Sequence, residues 1–263
     1  MVNLYFIPTP IENYNDMTFR GVEILKSCDL IYTNNISKTH ELLTYYNIER
    51  PLYCYKEKVE EVLTRLKQQK TIAIVSEEGY SGVDEESHLI CINAIQEGIN
   101  VIVIPGCNYL LTGLVTSGIP CDKFFYYGYL GKDKKHELKE IMDFDKTLVF
   151  YETSNELQDS LSCMYDVLGA RKAVVCCDVS TEKEKFYHIN LGDELEDIHS
   201  SKKIVIVVEG AKIKSSILKL NNMSVEEHYN YYLEQGLDNK EAMKKVAKDR
   251  GVSKSDIYKV INR

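Results

Sequence analysis

Two polar turns hold the residues best placed to meet a ligand. One is Ser76-Glu77-Glu78-Gly79-Tyr80-Ser81-Gly82-Val83-Asp84, and the other is Pro105-Gly106-Cys107-Asn108. At each the main chain can approach a small molecule, because glycine removes the side chain from the turn. The first is not a nucleophile elbow, since G-x-S-x-G needs glycine where Val83 stands. Metal chemistry finds no footing: the six histidines form no H-x-x-x-H pair, the eight cysteines form no C-x-x-C pair, and the adjacent Cys176 and Cys177 have poor geometry for joint ligation. No metal is expected, and the cysteines are read as reduced and mostly buried. Two further features remain open between a functional and a plain role. Tyr126-Tyr127-Gly128-Tyr129 can stack bases, although alternation along a strand makes core packing the expectation. Lys240, Lys244, Lys245 and Lys248, extended by Lys254 and Lys259, form either a solvated helix face or a surface for RNA.

Strands must position the two turns. Thr71 to Val75 and Asn100 to Ile104 are apolar runs of strand length, and each opens directly onto one of them. Between them His88 to Gly98 reads as a helix, with Leu89, Ile92, Ala94 and Ile95 on one stripe and Gly98 as its stop. The result is a β-α-β unit whose parallel strands end on one edge of a sheet, which is where ligands of open α/β sheets sit. Upstream, Val2 to Ile7 and Cys28 to Thr33 read as strands, and the helix after the prolines of Pro8-Thr9-Pro10 is capped by Asp16 or Thr18. Lys38 to Tyr46 and Lys56 to Gln69 read as helices. Strand and helix alternate over residues 1–118, which predicts a mostly parallel sheet. Residues 119–212 are richer in strand and give a second α/β domain with a mixed sheet. Ala211 to Asn222 reads as a linker, and residues 222–263 hold three short helices.

The chain of 263 residues is long enough for two domains, and its 44 % hydrophobic and 27 % charged content exclude a disordered or fibrous protein. No apolar run approaches the roughly 20 residues of a membrane span, so no membrane partner is expected and the cytoplasm is the expected location. The net charge of −8 excludes a protein that coats nucleic acid indiscriminately, though not one that meets a structured RNA through a local patch. From Ser224 onward eight Lys plus Arg stand against seven Asp plus Glu, so the tail is the least acidic part.

Several segments in order carry a family resemblance. Leu4-Tyr5-Phe6-Ile7-Pro8-Thr9-Pro10-Ile11 with Asn13, Asp16, Thr18 and Arg20 is similar to L-Y-x-V-x-T-P-I-G-N-L-x-D-x-T-x-R. Pro105-Gly106 with Leu110-Leu111-Thr112, Leu114, Ser117-Gly118 and Pro120 is similar to P-G-x-S-A-x-x-x-A-L-x-x-S-G-x-P. Thr147-Leu148-Val149-Phe150-Tyr151-Glu152, Val207-Val208-Glu209-Gly210 and the tail from Glu234 to Tyr258 follow the same pattern. The sequence resembles the tetrapyrrole methylase superfamily, and within it the branch that 2'-O-methylates a cytidine of small-subunit ribosomal RNA.

That resemblance implies a two-domain tetrapyrrole methylase-like α/β fold with a small C-terminal helical domain, acting as a homodimer on small ribosomal subunit RNA. S-adenosylmethionine is expected between the two α/β domains, lined by Pro10, Gly79, Tyr80, Val83, Asp84, Pro105, Asn108, Tyr109 and Tyr151. A ribose hydroxyl is a poor nucleophile until its proton is removed, and the resemblance offers Glu152 and Asp84 as carboxylates for that task. Each has a plainer alternative, Glu152 as a turn cap and Asp84 as the start of a helix. The polar edge departs from the family. Glu12 replaces a glycine, Asn34-Asn35-Ile36-Ser37-Lys38-Thr39 replaces E-D-T-R-x-T, and Ser76 to Ser87 replaces S-D-A-G-T-P-x-I-S-D-P-G. Thr153-Ser154-Asn155-Glu156 replaces S-P-H-R, and Cys177-Asp178-Val179-Ser180-Thr181 replaces R-E-L-T-K. Arginines near a cleft bind phosphate bidentately, so their loss at Ser37, Glu156 and Cys177 weakens the expected grip on RNA. A catalytically silent binding module, or a methylase redirected to another substrate, is therefore the alternative.

Overall fold

The computed structural model describes residues 3–195, 198, 203–213 and 215–261, so Val2, the expected start of the first strand, lies outside them. The chain folds as two compact units, one of Met1–Gly118 with Val175–Tyr187 and His199–Val205, the other of Ile119–Val174 with His188–Ile198 and Ile206–Arg263.

The first unit alternates as its apolar periodicity requires. Its order is β1 (Asn3–Ile7), α1 (Phe19–Ser27), β2 (Leu30–Thr33), α2 (Ile36–Tyr45), β3 (Leu52–Cys54), α3 (Val59–Lys67), β4 (Ile72–Val75), α4 (Glu85–Gln96), β5 (Asn100–Val103) and α5 (Tyr109–Thr116). The five strands form one parallel sheet in the order β3-β2-β4-β1-β5. Both of its faces are covered, as a parallel sheet demands. Leu4, Phe6, Tyr32, Ile72 and Ile74 meet Val62, Leu63 and Leu66 of α3 and Ile90 and Ala94 of α4. The alternate residues Ile7, Ile31, Ala73 and Val75 meet Leu25 of α1 and Leu43 of α2. The strand period of two thus sends neighbouring residues into two separate cores.

Caps explain where the helices begin. Thr18, rather than Asp16, caps α1 by accepting the Gly21 amide. Helix α4 starts at Glu85, three residues before the expected His88, because Asp84 accepts the Ser87 amide. Strand β3 is three residues long and follows Pro51, too short for an apolar pattern to announce it.

Past residue 118 come β6 (Phe124–Tyr129), α6 (Lys134–Ile141), β7 (Thr147–Glu152), α7 (Ser154–Leu168), β8 (Lys172–Cys177), β9 (Lys185–Asn190) and β10 (Ile204–Val208). They build a second, mixed sheet in the order β6-β7-β10-β8-β9. β6 and β7 are parallel, with a register shift between Tyr126 and Gly128. The expected linker contains a helix, α8 (Ser215–Asn221), and α9 (Val225–Glu234), α10 (Asn239–Arg250) and α11 (Lys254–Ile261) follow it. Tyr229, Tyr232, Ala242, Val246, Ala247, Ile257 and Leu220 form these helices' own apolar core. No helix of the described residues is long and apolar enough to cross a membrane.

Candidate functional site

In the first unit the loops after β1, β4 and β5 leave the same edge of the sheet and are laced together. Thr9 and Gly79 exchange both main-chain hydrogen bonds, 2.9 and 3.0 Å, and the Thr9 hydroxyl donates to the Ser76 carbonyl at 3.1 Å. The Gly106 amide donates to the Tyr80 hydroxyl at 3.1 Å, which ties the β4 loop to the β5 loop. Gly79 has φ +70°, in the region that favours glycine, and an added Cβ would find nothing nearer than the Cys107 carbonyl oxygen at 3.8 Å. Gly79 is itself buried, and its amide and carbonyl are engaged by Thr9 and by the Ser76 hydroxyl, so it shapes the turn and leaves ligand contact to its neighbours.

The side chains at this edge fall into two kinds. Val83 and Pro105 are exposed, and Val83 is 80 % so. Asp84 and Asn108 are helix caps: Asp84 accepts the Ser87 amide and the Tyr55 hydroxyl, both at 3.0 Å, and Asn108 accepts the Leu111 amide at 3.0 Å. Burial and the neighbouring Asp84 carboxylate raise the Tyr55 phenol, so it stays a donor to Asp84. Tyr109 is buried and its hydroxyl donates to the Lys203 carbonyl. Burial, then Glu78 and Asp178, push the Tyr109 phenol up. The Lys203 ammonium lies 5.8 Å from the centre of the Tyr109 ring, and burial lowers its pKa against the pull of Glu78 and Glu77.

Beside Pro10 lies a cavity of about 140 Å³ whose walls include Glu12, Lys38, Glu41, Glu77 and Glu78. Glu12, Glu77 and Glu78, three departures from the family pattern, meet at this one place although they come from two different loops, and Lys38 reaches it from α2. Lys38 pairs with Glu77 and, at 3.1 Å, with Glu78. Burial works against the Lys38 charge, but the two carboxylates outweigh it and hold the ammonium above its ordinary value. The same Lys38 contact draws Glu77 below the usual carboxylate range, against its own desolvation. With Lys38 and Glu77 about two-fifths exposed, such pairs add little stability. Their effect is orientation: Lys38 fixes two glutamates new to the pattern. The family motifs mark Glu77 and Glu78 only as mismatches, and Lys38 and Lys203 fall on no specified motif position.

In the second unit Tyr151 and Glu152 end β7 and face opposite ways. The Tyr151 ring lies 5.3 Å from that of Tyr126 and 5.6 Å from that of Tyr129. Tyr126 and Tyr129 are 43 % and 49 % exposed, so they do not enter the core as the alternation predicts. The bulge at Gly128, φ +92°, breaks that alternation and turns both rings to one open side. Tyr127 goes the other way and donates to Glu137 of α6 at 2.7 Å. Glu152 is buried at 5 % exposure, accepting the Thr153 amide at 2.8 Å and the Ser160 hydroxyl of α7. Among the described residues no group of three His, Cys, Asp or Glu is placed to hold a metal ion.

Comparison with known proteins follows the same lines. Residues 3–194 match the family described as Tetrapyrrole (Corrin/Porphyrin) Methylases. A protein of Halalkalibacterium halodurans named ribosomal RNA small subunit methyltransferase I is 34 % identical, covering 99 % of this chain and 94 % of its own. The protein of the same name in Thermotoga maritima is 28 % identical over 80 % of this chain and 99 % of its own, so about a fifth of this chain has no counterpart there. Among solved structures, a diphthine synthase superposes with a TM-score of 0.64 at 15 % identity, covering 81 % of this chain and 92 % of that one. That likeness is one of fold.

Proposed function

The chain belongs to the tetrapyrrole methylase family and is a methyltransferase, and on that premise we propose that it methylates the 2'-hydroxyl of a cytidine in small-subunit ribosomal RNA, with S-adenosylmethionine as donor. The observation that carries this reading is the likeness over 99 % of the chain to a relative of that name, together with the laced loops on the carboxyl edge of the first sheet. The residues fit the donor by their chemistry. An edge carrying Glu12, Glu77 and Glu78 suits its positive charge. When bound, S-adenosylmethionine supplies an electrophilic methyl group on a sulfonium.

The chain's own residues would do the rest. Pro10, Gly79, Tyr80, Val83, Pro105, Asn108 and Tyr109 line and shape the donor's seat. Holding donor and acceptor in line supplies most of the rate in such a displacement. Of the two carboxylates, Asp84 is the one partly open to solvent, and we give it the proton-accepting role. Glu152, engaged by Thr153 and Ser160, is a positioning residue that fixes the turn after Tyr151. The protein would work as a homodimer in the cytoplasm, where ribosomes are.

Methyl incorporation from labelled S-adenosylmethionine into small subunits from a strain lacking the gene tests this reading. The expected result is one methyl group per subunit, a loss of about 10²-fold or more in kcat with Asp84→Asn, and lowered stability with a raised KM for Glu152→Gln. Subunits that are already fully methylated without the gene would overturn it. A redirected methylase is the second reading, favoured by the carboxylates around Lys38, which repel phosphate; it predicts S-adenosylmethionine binding with no incorporation into subunits.

A further inference from the structure

The four tail helices contain a charged face that the site does not use. On α10, Ala242 and Val246 are buried in the helical core, and at 100° per residue Lys240, Lys244 and Lys248 fall on the opposite side, all three exposed. They repeat at four-residue steps, about 6 Å apart along the axis. Their surroundings differ from those of the other lysines. Lys245 bonds to Asp249 at 3.1 Å and lies over the Tyr232 ring, and Lys259 pairs with Asp256. Four of the tail's seven carboxylates are committed elsewhere: Glu227 closes the capping box of α9, Asp238 caps α10, Asp249 is buried, and Asp256 accepts from Ser253; Glu241 stands exposed in the first turn of α10. No carboxylate of the described residues pairs with Lys240, Lys244 or Lys248.

We propose that Lys240, Lys244 and Lys248 form a docking face for the phosphate backbone of RNA. Lysine is a compact, sequence-blind point charge, which suits phosphates and not a planar carboxylate fork. A chain of net charge −8 repels RNA over most of its surface, so productive encounter needs a local cationic patch. A membrane surface is the poorer partner, because interfacial helices place an apolar face beside their cations and the apolar face of α10 is already filled by the tail's own core. The helices also lie beyond the residues matched by the family, as an added module would. That the RNA is ribosomal rests on the function proposed above; the face itself does not.

The test uses the full-length protein and the triple variant Lys240→Gln, Lys244→Gln, Lys248→Gln, which keeps helix propensity. Binding to isolated small ribosomal subunits and to a labelled stem-loop RNA is titrated between 50 and 200 mM salt. The expected result is that the slope of log affinity against log salt falls by about one per lysine, about three in all, with at least about a tenfold loss of affinity at 100 mM salt. The melting temperature and S-adenosylmethionine binding stay as in the parent. An unchanged slope, absent RNA binding by the parent, or lysine-dependent binding to anionic phospholipid vesicles in place of RNA each overturns the proposal. Lysine-dependent RNA binding without methyl transfer upholds the face and sinks the proposed reaction; methyl transfer with an unchanged slope does the reverse.

Discussion

A single missing methyl group shapes how the first unit packs. A Cβ added to Gly113 on α5 would stand 2.9 Å from both Cβ and Cγ1 of Val205, which is fully buried. Alanine favours helix over glycine by up to about 1 kcal/mol, but overpacking a stiff β-branched neighbour costs about 1–3 kcal/mol, so the clash wins. Gly113→Ala should lower stability by about 1–2 kcal/mol and the melting temperature by several degrees, read by a thermal melt. The residue scale is also where sequence reading was weakest. Pro10, Gly79, Asp84, Pro105 and Asn108 could be proposed from the family resemblance, on turns at strand ends that local patterns mark. Lys203 could not, since it reaches Tyr109 across 94 positions of chain. Glu77 and Glu78 were visible only as departures, and their pairing with Lys38 is a property of the β4 loop meeting α2 in space.

Elements were legible where they were long and periodic. The unbroken apolar runs of β1, β2 and β4 announce a sheet covered on both faces, and that is what α1 to α4 complete. The three residues of β3, the seven of α8 and the bulge in β6 fell below that signal, because one turn of helix or one pair of strand residues carries no period. In the tail a buried polar network holds three helices. Arg250 donates from Nε to Nδ1 of His228 at 3.1 Å, and its guanidinium also reaches the Met223 and Ser224 carbonyls at 2.6 and 2.9 Å. Nε2 of His228 lies 3.7 Å from Asp249, which also takes the Tyr232 hydroxyl and Lys245. Burial first, and Arg250 second, lower the His228 pKa, against the pull of Asp249. The folded tail therefore binds a proton less well than the unfolded chain, whose imidazole titrates near about 6.5. Stability is full above that value and is lost as pH falls below it. Melts followed between pH 7.5 and 5 should show this loss, and His228→Gln should flatten it.

At the scale of the whole molecule the homodimer proposed above can be tested on exposed apolar surface. β5 is an edge strand, and Ile95 on α4, Val103 on β5 and Val115 on α5 are 60, 52 and 68 % exposed. Open strand edges flanked by aliphatic side chains are what proteins cover, and the homodimer proposed above would cover these. Ile95→Glu with Val115→Glu should halve the mass measured by sedimentation while leaving the fold's melting temperature within about 2 °C, because neither residue is in the core. An unchanged mass would move the interface elsewhere.

The sheet order has one more consequence, and it concerns synthesis. β1, the first strand made, lies between β4 and β5 and so waits for residues 72–75 and 100–103 before either of its edges is satisfied. The first unit also draws in Val175–Tyr187 and His199–Val205. At the usual pace of translation the N-terminal strand stays unpartnered for seconds, and the unit is complete only after roughly 10 to 40 s. The topology thus makes the nascent chain a client of whatever shelters unfinished proteins at the ribosome.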